Sequence, residues 1–392
     1  MPKSSTGEAK YNDLAYAGLR INSSKEWTNF SQFSAYFKKG IKINRLIDGG
    51  TGASNLFPEI AHALLTSSEI GAGELVGPNA VSESDMTDSA RFCRANKFFW
   101  DGTISSKLNL RDFIFEHAGY CLLDFTIIGG KFSLRPSVPY SPNTYLIDKT
   151  QPPAIKALFT DGNINDLQVS FLSPEERQSF KAAVMYRQET PNGFPETKSI
   201  LVRSTDTKYS SDNDPIETFD MSGFCTSLKQ AKTFAQFAIK TRILSDHGLS
   251  FKTAPQFVQT LSPGEYFRLV SEVTHVNRFN NGVITPDGTV VWAKEGGFVG
   301  PSQNKVYVWK PGTENVVATE IDFDSTSSVN RHKGKMFTVR STTEENKVYK
   351  CETISYAEDG LIEVSGSYAP TETNGTLSVL QNWDSTFDIK GD

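Results

Sequence analysis

The sequence predicts an α+β fold, mainly antiparallel β and multidomain, and three observations predict it. Its 27 Phe and 13 Tyr, set among many Val, Thr and Ser, favour pleated, half-buried strands. Helical periodicity is confined to three short runs between Asn55 and Cys121 and one long run after Ser227. Beyond about residue 155, that long run apart, the chain breaks into short apolar stretches separated by Gly, Pro, Asn and Asp. A chain of 392 residues has room for roughly two to four domains.

Residues 1–50 hold two short strand-like runs, AYAGLRI and KGIKI, too few to close a core, and read as the end of an upstream unit. Gly49, Gly50 and Gly52 then form a loop into a helical block. Such a loop before a helix can cradle phosphate. Here no Gly-Lys-Ser/Thr follows and no strong strand precedes, so a plain connection is expected. The block spans 51–140 and contains three helices plus a hairpin. In NLFPEIAHALLTSS, residues Phe57, Ile60, Ala61, Leu64 and Leu65 recur on one helical face. Pro58 suits the first turn, where no backbone donor is needed. SESDMTDSARFCRANK is the second helix, with Ser82 or Ser84 as N-cap and acidic residues in its first turn. NLRDFIFEHAGYC is the third; Leu110, Phe113, Ile114, His117, Ala118 and Cys121 repeat the spacing. LLDFTIIGGKFSLRP gives two strands about a two-residue turn at Gly129-Gly130.

Pro136, Pro139, Pro142, Pro152 and Pro153 then interrupt regular structure and mark a domain boundary. In the segment 141–275, DLQVSFL, AAVMYRQE and SILVRS read as strands, and TDTKYSSDNDP as a loop polar enough to move. A helix is expected over 228–247, with Leu228, Ala231, Phe234, Ala235, Ala238 and Arg242 on one stripe and Gly248 as a left-handed C-cap. LSFKT and EYFRLVSEV resume the strands with Pro263-Gly264 turning between them, so the segment reads as antiparallel strands plus one covering helix. The segment 276–392 reads as β: a hairpin on Pro286-Asp287-Gly288, the strands KVYVWKPGTE and KMFTVRSTT, and a pair turning at Glu358-Asp359-Gly360. From about Glu372 the chain is polar, and a linker or partner-docking tail is expected.

A net charge of −5 argues against wrapping nucleic acid, which needs clustered Lys and Arg. The start MPKSSTGEAKYND lacks an apolar core segment and is not expected to be a secretion signal. No run approaches the roughly 20 apolar residues of a membrane helix. Cys93, Cys121, Cys225 and Cys351 form neither a C-x-x-C pair nor a disulfide framework. Buried free thiols are expected, in a chain folded in a reducing cytoplasm, so the sequons at Asn22, Asn29 and Asn374 carry little weight.

The search for chemistry returns little. His62, His117, His247, His275 and His332 are spread out, none at metal-ligand spacing from a Cys or another His. His62 and His117 lie on or beside apolar helix faces and read as packed core or edge residues. There is no G-x-S-x-G and no H-E-x-x-H. DGNIND, residues 161–166, begins like a calcium loop, but Asp166 stands where Gly is needed and Leu172 where Glu is needed. Asp322 and Asp324 alternate on a strand-like run and would share a face. Paired carboxylates do acid–base work in glycosidases, but surface aspartates at a β-edge more often guard against aggregation. No catalytic, cofactor-binding or metal site is expected, and no enzymatic activity.

The order of AYAGLRI, FSAYFKKGIKI, LFPEIAHALLTSSEIGAG, ARFCRANKFFWDGTI and NLRDFIFEHAGYCLLDF resembles the tail-hub, or host-specificity, protein family at the tail tip of lambda-like long-tailed phages. ETFDMSGFCTSLKQAKTFAQFAIKTRI with SPGEYFRLVSEV is similar to that family's second tube-like barrel. KVYKCETISYAEDGLIEVSGSYAP is similar to the strand pair that closes its hub. The resemblance covers roughly residues 11 to 370 and rests on the order of many weak motifs.

The resemblance implies a homotrimer in which each chain supplies two tail-tube-like barrels, adapting a hexameric tube to a three-fold tip and forming part of the DNA ejection channel. On that reading residues 1–50 end an upstream barrel, 51–140 are an α+β hub insertion, 141–275 are a tail-tube-like β-barrel carrying the long helix, and 276–392 are a C-terminal β domain and polar tail. The implied partners are the distal tail or tube protein, the tape measure protein and central fibre or tip proteins. DNA would pass the lumen without specific binding, and the chain would sit at the virion tail tip after synthesis in the host cytoplasm, without stable membrane insertion. Two departures follow. The chain begins where the family's first barrel should be finishing, and it ends soon after the hub, so receptor recognition is not expected of it. The alternatives are a carbohydrate-binding or depolymerising tip protein, and the hub of a related contractile or secretion machine.

Overall fold

The computed structural model describes residues 40–190, 195–271, 279–293, 305–340 and 347–391; AYAGLRI and His275 lie outside the described residues. The glycine loop closes a small hairpin, β1 (Ile43–Asn44) with β2 (Thr51–Gly52), turning where Gly49 takes φ +66°. It does not lead straight into a helix as a phosphate cradle would. The three expected helices are present as α1 (Phe57–Thr66), α3 (Glu83–Asn96) and α4 (Leu110–Tyr120), with a short unforeseen α2 (Gly73–Val76) after α1. Pro58 sits in the first turn of α1, and Phe57, Ala61, Leu64 and Leu65 are buried as the spacing predicts. Ser82 holds the N-cap position of α3, and the Asn109 side chain caps α4 by accepting from the Arg111 N–H. The hairpin β3 (Leu123–Ile128) and β4 (Lys131–Pro136) turns at Gly129 and Gly130, both left-handed, as a two-residue turn of this kind requires.

The strands continue as β5 (Ile155–Thr160), β6 (Ile164–Phe171), β7 (Lys181–Glu189), β8 (Pro195–Ser204) and β9 (Ile216–Asp220). Helix α5 (Leu228–Leu244) follows, then β10 (His247–Thr253), β11 (Tyr266–Val270), β12 (Phe279–Ile284) and β13 (Val290–Trp292). The chain ends with β14 (Lys305–Trp309), β15 (Val317–Thr319), α6 (Thr326–Asn330), β16 (Lys335–Arg340), β17 (Val348–Tyr356), β18 (Ile362–Tyr368) and β19 (Phe387–Lys390). They form a six-stranded sheet in the order β5-β11-β17-β18-β10-β6, a five-stranded sheet β13-β12-β16-β14-β15 and a four-stranded sheet β19-β8-β7-β9. The fold is α+β, mostly antiparallel and multidomain, with three hydrophobic cores.

The first core joins Phe57, Phe92 and Phe98 of the helical block to Val184 and Val202 of the four-stranded sheet and Ala235 of α5. The second fills the six-stranded sheet with Phe159, Phe251, Phe267, Tyr349 and Val364. The third lies on the five-stranded sheet around Phe337. The two edge strands of the six-stranded sheet, β5 and β6, are joined by a three-residue turn, Asp161–Asn163, so the sheet curls until its edges come together at that corner. Asn163 builds the corner: its side chain accepts from the Thr160 N–H at 2.7 Å and donates to the Leu158 C=O at 3.1 Å.

Several expectations are corrected. Strands β10 and β11 are not a hairpin at Pro263-Gly264, because β17 and β18, from far downstream, insert between them. The sheets are not purely antiparallel: β5 pairs with β11, and β7 with β9, in parallel. The long helix ends at Leu244, Ser245 is its C-cap with φ −88°, and Gly248 is an extended residue of β10 opposite Ser367. The buried positions of α5 are Gln230, Ala231, Thr233, Ala235, Gln236, Ile239 and Ile243, whereas Leu228 is exposed. One stripe fails to describe α5 because it is enclosed: the four-stranded sheet lies on one side, Gln230 reaches Tyr120 on another, and Gln236 reaches Trp383 on a third. The polar tail is no linker. Leu377, Val379, Leu380 and Trp383 enter the first core, and β19 pairs with β8. Its apolar residues are too sparse to show a period, yet each finds a place against α5 and the four-stranded sheet. In the loop 205–215 polar side chains bond the local backbone, as Ser210 Oγ does to Asp206 O at 2.8 Å.

Candidate assembly surface and charged joint

Of the described histidines, His117 and His247 sit against aromatic rings. His117 lies 4.3 Å from the Phe113 ring and 4.9 Å from that of Phe224, with Nδ1 3.0 Å from the Phe113 carbonyl. Burial lowers its pKa, opposed by that hydrogen bond and by Glu116, and it is half-buried at the edge of the first core. His62 is half-buried on α1, and burial lowers its pKa too. His247, which carries no sequence signal, is buried at the start of β10 between Asp246 Oδ1 at 2.6 Å and Tyr349 Oη at 3.0 Å, with Tyr368 stacked at 4.6 Å. The four cysteines are free and buried. Asp322 and Asp324 occupy a turn ahead of α6, where Asp322 Oδ1 accepts from the Asp324 N–H at 3.1 Å, so they do not share a strand face. Among the described residues no group of three or more His, Cys, Asp and Glu is arranged to hold a metal ion, and no helix is long and apolar enough to cross a membrane.

Between the first and second cores lies a joint of charged residues that the sequence did not announce. Asp124 and Arg135 are opposite one another on the β3–β4 hairpin. Facing them are Glu265, just before β11, and Lys350 of β17, which stands opposite Tyr266. Lys350 Nζ is 2.9 Å from Asp124 Oδ1 and 2.7 Å from Oδ2. Arg135 bridges Asp85 Oδ2 at 3.2 Å and Glu265 Oε1 at 3.4 Å. Ser133 Oγ donates to the same Asp85 oxygen at 2.6 Å, and Tyr266 Oη donates to the Ser137 carbonyl at 3.0 Å.

Electrostatics follow the geometry. Burial works to raise the Asp85 pKa, but the Ser133 hydroxyl and the Arg135 charge hold it below the usual carboxylate range. Burial raises that of Glu265 against the Ser262 N–H, Lys156 and Arg135. Burial works to lower that of Lys350, but Asp124 outweighs it and the pKa is raised. The Tyr266 phenol is pushed up to about 12 by burial. What this arrangement can do is hold the hairpin against the sheet through paired charges.

The second feature is apolar side chains left in water. Among the described residues, Ile216 begins the edge strand β9 and is 62% exposed, and Phe171 ends the edge strand β6 and is 70% exposed. Val291 and Val317 sit on the two edge strands, β13 and β15, of the five-stranded sheet and are also exposed. Tyr356, at the end of β17, is 88% exposed. Single exposed apolar residues are ordinary, but natural proteins usually blunt open strand edges with charge.

No protein-family model matches the chain, and no curated protein matches it. In three solved structures it finds partial likeness. One is the virion of a native gene transfer agent particle, 9% identical with a TM-score of 0.35, covering 74% of this chain and 49% of that one. Another is a tail protein from Neisseria meningitidis MC58, 8% identical with a TM-score of 0.29, covering 70% and 59%. The third is the 43 kDa tail protein of prophage MuSo2 from Shewanella oneidensis, 9% identical with a TM-score of 0.30, covering 70% and 58%. The chain thus spans about half to three-fifths of the length of these proteins.

Proposed function

We propose that this chain is a structural subunit of a phage tail and, within it, a hub at the tail tip. Three copies form a ring that adapts the tube to a three-fold tip and lines part of the channel through which DNA leaves. The observation that carries the reading is the apolar residues at the open edges of three separate sheets, which suit large obligate interfaces between copies. The ordered resemblance of the sequence to tail hubs supports it, as does the weakly acidic charge of a wall that DNA must slide past. The distal tail protein, the tape measure protein and a central fibre are its proposed neighbours.

The test is the mass in solution by light scattering. The chain is 43.4 kDa, so a trimer gives about 130 kDa. A monomer at all accessible concentrations counts against the ring and favours a glycan-binding tip protein, which a glycan array then examines. DNA affinity in about the micromolar range or tighter, falling with salt, contradicts the channel wall.

A further inference from the structure

We propose that the seam between the helical block and the six-stranded sheet is an ionic latch, and that this seam, not either hydrophobic core, opens when the subunit changes shape. Its purpose rests on the hub reading; its existence does not.

Charges at the seam are crossed. The hairpin presents an acid and a base side by side, Asp124 and Arg135. The sheet side presents Glu265, immediately before β11, and Lys350 of β17, the strand paired with β11. Each acid of one body meets the base of the other, Asp124 with Lys350 and Glu265 with Arg135. Asp85 backs Arg135 from α3. Further charges reach the seam from Lys156, which acts on Glu265, and Glu352, which acts on Lys350. Gly264 turns into the seam with φ +89°, and a Cβ there would stand 3.2 Å from Asp124 Oδ2; the close approach of loop to carboxylate needs its bare backbone.

The seam's chemistry is unsuited to permanence. Replacing buried ion pairs with apolar groups commonly strengthens a contact, because charges give up hydration to meet. Here, among the described residues, apolar contact between the sheet and the first core is limited to Tyr266 and Ala369, and the second core stays within the sheet. The charges between them have side chains 21–33% exposed, so water re-enters readily. Separated apolar faces would stay penalised in water; separated charges regain hydration. Polar contacts between bodies of one chain are the kind that permit relative motion. The crossed pattern also fixes the closed position, since exchanging the two contacts sets Asp124 against Glu265 and Arg135 against Lys350.

Hydrogen exchange of the full chain, read by mass spectrometry, tests the latch. Raising salt from about 0.1 M to about 1 M shortens the Debye length from about 10 Å to about 3 Å. Exchange should accelerate in peptides covering 123–136 and 262–270 and stay constant in α5. Asp124→Lys and Lys350→Asp should each accelerate exchange at the seam about tenfold or more, and the double variant should restore part of the loss, short of all because it sets like charges beside Arg135 and Glu265. Salt-independent exchange at the seam overturns the latch, as does a double variant no better than the singles, or equal acceleration in α5. If a single variant does not fold, the salt series on the unaltered chain decides. The outcomes separate from those for the ring: a trimer with a salt-indifferent seam refutes the latch alone, and a monomer with a salt-sensitive seam refutes the ring alone.

Discussion

Replacing Gln230 by Met keeps most of the side-chain volume and removes its hydrogen bonds. Gln230 has no solvent exposure. Its Oε1 accepts from the Phe99 N–H at 2.9 Å, and its Nε2 donates to the Tyr120 carbonyl at 3.3 Å and meets Cys121 Sγ at 3.6 Å. It therefore satisfies one backbone donor after α3 and one carbonyl at the end of α4, tying both helices to α5. In Gln230→Met neither group has a replacement among its neighbours, and each orphan costs about 1–3 kcal/mol, giving an expected loss of about 2–6 kcal/mol. Gln230→Ala adds a cavity and should cost about 1–2 kcal/mol more. Urea unfolding followed by tryptophan fluorescence reads both, with the slope unchanged if only the folded state is affected. A Met variant within about 0.5 kcal/mol of the parent refutes the reasoning, because α5 would then be joined to the block by apolar packing alone.

Other expectations follow from single residues. Trp383 is buried, donates from Nε1 to the Val379 carbonyl at 2.7 Å and lies under Lys149; Trp383→Ala should cost about 3–5 kcal/mol in urea unfolding, whereas a linker residue would cost nothing. Gly282 leaves no room for a side chain, since a Cβ would stand 2.4 Å from Phe337 Cζ and 2.5 Å from the Val291 carbonyl; Gly282→Ala should cost about 1–3 kcal/mol, seen as faster exchange in β16 and not in α5. Burial lowers the His247 pKa, against the pull of Asp246. The unfolded chain then binds the proton more readily, so stability should fall as pH drops below about 6.5 towards the lower folded pKa. His247→Gln should flatten that fall in urea midpoints taken across the range, and an unchanged slope would contradict it.

What the sequence made legible is what short-range spacing encodes. Phe57, Ala61, Leu64 and Leu65 announced α1, and Gly129-Gly130 announced its hairpin, because the deciding contacts lie within a few residues. Strand partners were illegible for the same reason: β11 pairs with β5 and β17, and nothing near Tyr266 says so. Gly248 misled because glycine is as much at home in an extended strand as in a left-handed cap, and here it pairs with Ser367 in β10. The charged joint was hidden because Asp124 and Lys350 lie 226 residues apart, and nothing near either of them names its partner. The stripe predicted for α5 leaves out Gln230 and Gln236, because nothing in the local spacing signals a helix enclosed on several sides.

The enclosure of α5 ties these observations together. The first core draws on Leu56 near one end of the described chain and Trp383 near the other, with α5 between them. Such long-range closure folds as one cooperative unit, because the entropy of bringing distant segments together is recovered only when the whole core forms. The second core is closed in the same way, by β17 and β18 inserted between β10 and β11. Neither unit can loosen in part without exposing its aromatic interior, so a change of shape in this chain has a low-cost route only where apolar packing is interrupted. Between the first two cores that place is the seam of Asp124, Arg135, Glu265 and Lys350, where charges already stand partly in water and separation costs the ion pairs together with the Tyr266–Ser137 hydrogen bond and the packing of the Tyr266 ring.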